Sequence, residues 1–143
     1  MSLHLIKLCV GIPSVEYLRS RQAQRLADMR ARGEPEQLVH ITRMVPRRAG
    51  ELTDGGSLYW VIKGYVQARQ AITGVEPYRD AEGIGRCRLL LGEELVNVAP
   101  RPMRAFQGWR YLETKDAPAD LGSQGDDEMP EEMRRELAEL GLL

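Results

Sequence analysis

Residues 57–73 read SLYWVIKGYVQARQAIT. Leu58, Tyr59, Trp60, Val61 and Ile62 are large, aromatic or branched, the side chains that fit a pleated surface. Asp54-Gly55-Gly56 just before them is strong turn chemistry, because glycine reaches backbone angles closed to other residues. Gly64 interrupts the run and YVQARQAIT continues it in extended form, so Gly64 marks a bulge or the corner of a curled sheet. A sheet-based fold follows from this stretch.

The flanking segments extend the pattern. Downstream, Asp80-Ala81-Glu82-Gly83 is a second turn, and residues 84–91 (IGRCRLLL) alternate Arg86 and Arg88 with Cys87 and Leu89. Residues 94–98 read as a short strand. Pro100 and Pro102 punctuate an extended stretch, and residues 106–112 (FQGWRYL) read as a last strand kinked at Gly108. Upstream, residues 38–45 (LVHITRMV) form a strand stopped by Pro46, with a short helical turn at 47–52. Residues 3–10 are apolar on both faces, which suits a central, doubly covered strand. After Pro13, the residues Val15, Leu18, Gln22, Leu26 and Met29 follow at helical spacing, with Arg19, Arg21, Arg25, Arg30 and Arg32 on the opposite side. Gly33 stops this helix.

The expected class is α+β. We expect a small curled, mostly antiparallel β-barrel, with one long amphipathic helix after the first strand and a short C-terminal helix. The expected organisation is a mixed α+β domain over residues 1–112, an acidic linker over 113–128, and an amphipathic helix over 129–143. Pro130 opens that helix, and Met133, Leu137 and Leu140 share one face, a candidate homodimer contact.

The chain of 143 residues fits one domain. A chain of this size buries roughly 68% of its unfolded surface, enough for a core without staples. No stretch reaches the ~18 apolar residues of a membrane helix, and the N-terminus lacks a signal-peptide layout. The expected location is cytoplasmic, without a membrane partner. Cys9 and Cys87 are then expected as buried free thiols. A zinc site would need both of them to converge with His4 and His40, so neither a metal nor a cofactor is expected.

The net charge of −1 hides an asymmetry. Residues 1–112 carry 17 basic and 11 acidic side chains, a balance of +6, whereas residues 113–143 carry 3 and 10, a balance of −7. Of the 20 basic residues, 17 are arginine, the side chain suited to bidentate phosphate contacts.

The blocks HLIKLCVG, HITRMVPRR, GGSLYWVIKG, VQARQ, GIGRCRL, PRPMRAFQGWRYL and RRELAELGLL run through nearly the whole chain. Together they resemble a bacterial, mainly alphaproteobacterial, family catalogued as domain of unknown function 1489. That resemblance implies no particular activity. A looser one is to PUA-like barrels, including ASCH, EVE and YTH-type domains. It rests on the glycine turn before LYWVIKG and on Pro77-Tyr78-Arg79-Asp80, and it implies a curled barrel that binds RNA or modified bases. Where those barrels carry a Gly-Asp turn, this chain has Gly55-Gly56.

The residue set best suited to a nucleic-acid ligand is Arg43, Arg47, Arg48, Trp60, Lys63, Arg69, Trp109 and Arg110. Arginine and lysine supply phosphate contacts, and indoles supply faces on which bases stack. Trp60 and Lys63 lie three apart on a strand and point to opposite faces unless Gly64 twists its end. Weaker patterns end in turns. Gly83-x-Gly85-x-x-Arg88 lacks the third glycine of a dinucleotide loop. Gly55-Gly56-Ser57-Leu58-Tyr59 opens a strand, whereas a serine nucleophile needs a helix there. The expected function is a binding module for RNA or a modified nucleobase. One alternative is a small enzyme on a nucleotide-like or other anionic substrate, with Lys63 and Arg110 as clamps and Asp80 as base. The other is an adaptor docking through its C-terminal helix.

Overall fold

Lys63 and Gly64 both adopt left-handed backbone, with φ of 53° and 81°. Two successive residues of this kind make the tight turn whose twist suits a β-hairpin. Ile62 and Tyr65 pair directly across it. Gly64 is therefore the second residue of a hairpin turn rather than a bulge or corner, and the strand irregularity falls instead between Trp60 and Val61.

The computed structural model describes residues 3–121. In chain order these form β1 (Leu3–Leu8), α1 (Val15–Ala31), β2 (Leu38–Thr42), α2 (Ala49–Leu52), β3 (Ser57–Ile62), β4 (Tyr65–Arg79), β5 (Gly85–Pro102) and β6 (Trp109–Glu113), then a 3-10 turn at Thr114–Asp116. The strands make one sheet in the order β2-β5-β4-β3-β1-β6. β1 and β3 are parallel, with α1 lying between them in sequence, and every other pairing is antiparallel. Ser14 caps α1, its hydroxyl accepting from the Tyr17 amide at 3.1 Å.

β5 joins the segments expected as separate strands at 84–91 and 94–98 and runs on through the proline stretch. It can do so because register shifts near Val66, Gln70 and Ile72 bend the β4–β5 pair without ending it. The bends roll the sheet. His40 of β2 meets Trp60 of β3 with ring centroids 5.1 Å apart, although two strands separate β2 from β3 in the hydrogen-bonded order. The two edges also approach each other. Trp109 of β6 donates its indole N–H to the Met44 carbonyl just beyond β2 at 2.8 Å, and the Arg48 amide donates to the Tyr111 hydroxyl at 3.1 Å. Among the described residues no ladder joins β2 to β6, so the expected closed barrel is an open, rolled sheet.

Alternation along the strands sorts the core into two layers. Leu3, Leu5, Leu58, Trp60, Ile62, Ala68, Ile72, Cys87, Leu89 and Leu91 line the concave face together with Val15 and Leu18 of α1. Ile6, Tyr59, Val61, Val66 and Val98 line the other face under Met103, Phe106 and Ala117. Residues 117–121 return beside β5, where the Ala99 amide donates to Ala119 at 2.8 Å and the Leu121 amide to Asn97 at 2.9 Å. Arg69 clasps Asp120 through two contacts of 2.6 Å. The acidic segment beyond residue 121, the helix expected over 129–143 and the dimer contact expected of it lie outside the described residues. Among the described residues no helix is long and apolar enough to cross a membrane.

A side chain on Gly56 would collide with backbone on two sides: a Cβ there would stand 2.2 Å from the Leu3 carbonyl oxygen and 2.3 Å from that of Leu52. Neither strand nor helix can yield cheaply. We expect Gly56→Ala to destabilise the fold by about 3 kcal/mol or more, read from urea denaturation, whereas Gly50→Ala, which meets open space, should stay within about 0.5 kcal/mol of the parent.

Candidate functional site

The fully buried Gln70 on β4 organises the concave face. Its side-chain carbonyl accepts from the Trp60 indole N–H at 3.2 Å and from Gln22 of α1 at 2.9 Å. Its amide donates back to Gln22 at 2.9 Å and to the Gly92 carbonyl of β5 at 2.9 Å. Each polar atom of this side chain is satisfied, which a buried amide requires. The network fixes α1 over the sheet and holds the Trp60 indole in one orientation. Arg19 adds a second tie, donating to the Leu95 carbonyl and the Asn97 side chain, both at 3.1 Å.

Beside this network, α1 and the ends of β1 and β2 leave a cavity of about 290 Å³. Leu18, Leu38, Leu91 and Trp60 form its apolar walls, with Gln22 among them. Lys7, Arg21 and Arg25 line it as cations, and no carboxylate lines it. Lys7 reaches this side because it alternates with Leu3 and Leu5 along β1. Arg21 and Arg25 are four apart on α1, one turn, and so stack on one side of the helix next to Gln22.

His40 and Cys9 also line the cavity. The His40 Nε2 atom is buried and has no hydrogen-bond partner. Burial, with smaller contributions from Lys7 and Arg25, lowers the His40 pKa to about 4, so the imidazole is neutral near pH 7. Burial pushes the Cys9 thiol up to about 11, against smaller opposing effects of Lys7 and Arg25. Cys9 is therefore a protonated wall atom rather than a nucleophile. The cavity combines positive charge with an indole and an imidazole in its wall, a chemistry that suits an anion carrying a flat polar group.

Of the residues singled out in the sequence, Trp60 is the one that lines this cavity; it is 4% exposed. Lys63 sits in the hairpin turn and lines a neighbouring hollow. Arg43, Arg47 and Arg48 lie on the exposed segment after β2, where Arg48 pairs with Glu51 at 2.6 Å. Trp109 is buried, 7% exposed, and spends its N–H on Met44. Arg69 is on the far face with Asp120, and Arg110 lies over the Phe106 ring at 4.6 Å. These residues do not converge. Asp80 belongs to the β4–β5 turn, its carboxylate held below its usual range by Arg86 and by the amides of Ile84 and Glu82. The Ser57 hydroxyl oxygen accepts from Arg69, while His4 accepts from the Ser57 amide, so the two do not form a nucleophile and base.

Lys7, Arg21, Arg25 and His40 were absent from the sequence-derived set. Two signals pointed to them: a lysine inside the otherwise apolar β1, and Gln22 on the apolar stripe of α1 with arginines on either flank.

Removing the Gln70 amide should leave Gln22, the Trp60 N–H and the Gly92 carbonyl unpaired. We expect Gln70→Leu to cost about 3 kcal/mol by urea denaturation, with Gln22→Leu in the same chain recovering part of the loss because one orphan disappears. The pH dependence follows from His40. Above pH 6.5 the imidazole is neutral folded and unfolded. As pH falls from 6.5 towards 4 the unfolded chain binds the proton first, so the folded state loses about 2–3 kcal/mol. His4, lowered by burial and by Arg69, adds in the same direction. His40→Phe should lose less stability than the parent between pH 7 and pH 4.5.

Among curated proteins and among solved structures, none matches this chain. Residues 5–143 match the model of the family described as protein of unknown function (DUF1489), and the chain belongs to that family.

Proposed function

We propose that this domain is a binding module for RNA or a modified nucleobase, received as an anionic nucleotide unit in the cavity under α1. The observation that carries this reading is the lining itself: Lys7, Arg21 and Arg25 without a carboxylate, beside Trp60 and His40. A volume of about 290 Å³ lies near the lower end of small-molecule pockets and suits one nucleotide unit. The cations hold phosphate. The Trp60 indole and the His40 imidazole form the wall beside them, and the Gln22–Gln70 pair keeps that wall rigid. The +6 balance of residues 1–112 supplies the longer-range attraction.

The test is retention of short single-stranded RNA across a salt series. Arg21→Ala combined with Arg25→Ala should weaken binding about tenfold or more and lower the salt slope by about one unit. Arg47→Ala with Arg48→Ala, outside the cavity, should change it by less than about threefold. Salt-insensitive retention, or equal retention by the Arg21/Arg25 variant and the parent, would sink the reading.

A further inference from the structure

A second hollow, of about 540 Å³, opens beside the cavity and is lined by Cys9, Gly11, Ile12, Pro13, Tyr17 and Lys63. Cys9 and Ile12 line both spaces, so the two are neighbours across one pair of side chains. This hollow holds no carboxylate. Glu16, in the first turn of α1, adjoins Tyr17 in sequence but is not part of the lining.

Two features of the hollow are not needed for folding. Tyr17 leaves 43% of its surface exposed, although it belongs to the first turn of α1, whose neighbours Val15 and Leu18 are buried. Lys63 is the one residue other than glycine with positive φ among the described residues, at 53°. A turn that only had to be tight would be served better by asparagine or glycine at this position. Strain retained at a residue that projects a cation into a hollow points to a use for that cation.

We propose that this hollow is a second subsite continuous with the cavity, so that the ligand is a single-stranded oligonucleotide: its first unit occupies the cavity, the next phosphate meets Lys63, and the next base stacks on Tyr17. The inference rests on the reading of the cavity given above. Its chemistry is that of single-strand recognition generally, in which a cation tracks the backbone and an aromatic ring takes a base with little regard to sequence. It also accounts for the Trp60 and Lys63 pair, three apart in sequence. The hairpin turn carries Lys63 out of strand alternation and into the space next to the indole's cavity.

The probes are 5′-AMP and the 5′-phosphorylated trinucleotide of adenylate, with the full chain and its Lys63→Gly and Tyr17→Ala variants. The parent should bind the trinucleotide about tenfold more tightly than AMP, the gain of one stack and one phosphate contact. Lys63→Gly should raise the Tm, because glycine relieves the strain, and should lower the ratio of the two affinities partway, by the phosphate contact it removes. Tyr17→Ala should lower that ratio partway. If AMP binds but the trinucleotide gains nothing, or if Lys63→Gly raises the Tm and leaves the ratio intact, the second subsite is refuted and the cavity reading stands. If neither probe binds, the cavity reading falls and this inference falls with it.

Discussion

The reciprocal amide pair between Gln22 and Gln70 is the constraint on which the rest of this structure depends. α1 has a modest apolar stripe, and three of its residues, Val15, Leu18 and Gln22, are buried. Hydrophobic contact alone would leave the helix free to roll or slide. A buried amide whose donors and acceptors are all committed admits one placement, since any shift strands a polar atom away from water. The same side chain holds the Trp60 indole and reaches Gly92, so helix, β3, β4 and β5 are set against each other through one residue.

That placement decides where the charges go. Arg21 and Arg25 flank Gln22, so fixing Gln22 inward turns both guanidinium groups towards the ends of β1 and β2. Lys7 arrives there from β1 by strand alternation. Three cations then share a small space with an imidazole that burial keeps neutral. Like charges held together cost free energy unless something answers them, and no carboxylate lining the cavity does. The arginines elsewhere on α1 behave differently: Arg30 and Arg32 pair with Glu36 and Glu34 at 2.6 and 2.9 Å. The arginines near the end of the helix are thus paired, whereas Arg21 and Arg25 line the cavity.

Much of the fold was legible in the sequence. The turn at Gly55-Gly56, the hydrophobic β3, the long α1 and the two-faced β1 follow from local periodicity. A curled sheet was expected, but local pattern could not reveal where the curl arises, in register shifts of β4 and β5 and in contacts 20 to 65 residues apart, such as His40 with Trp60 and Met44 with Trp109. The site was harder to read. Scanning for arginine beside aromatic residues selected the loop after β2 and the last strand, where the structure spends Trp109 and Arg110 on packing. The cavity residues look ordinary one by one. Lys7 reads as an interruption and Gln22 as a flaw in an apolar stripe, and both make sense only once α1 crosses the ends of β1 and β2.

Among the described residues the roll is fastened along its open side by two hydrogen bonds, from the Trp109 indole to Met44 and from the Arg48 amide to Tyr111. A cylinder sewn all the way round by backbone pairing has no preferred line of give; this one does. Trp109 also packs in the same core cluster as Leu38 of β2, so the seam is held by apolar contact as well. His40 on β2 and the Trp60 indole on β3 meet across the same roll. Side-chain bonds to the backbone thus stand in for the ladder that the two edges lack.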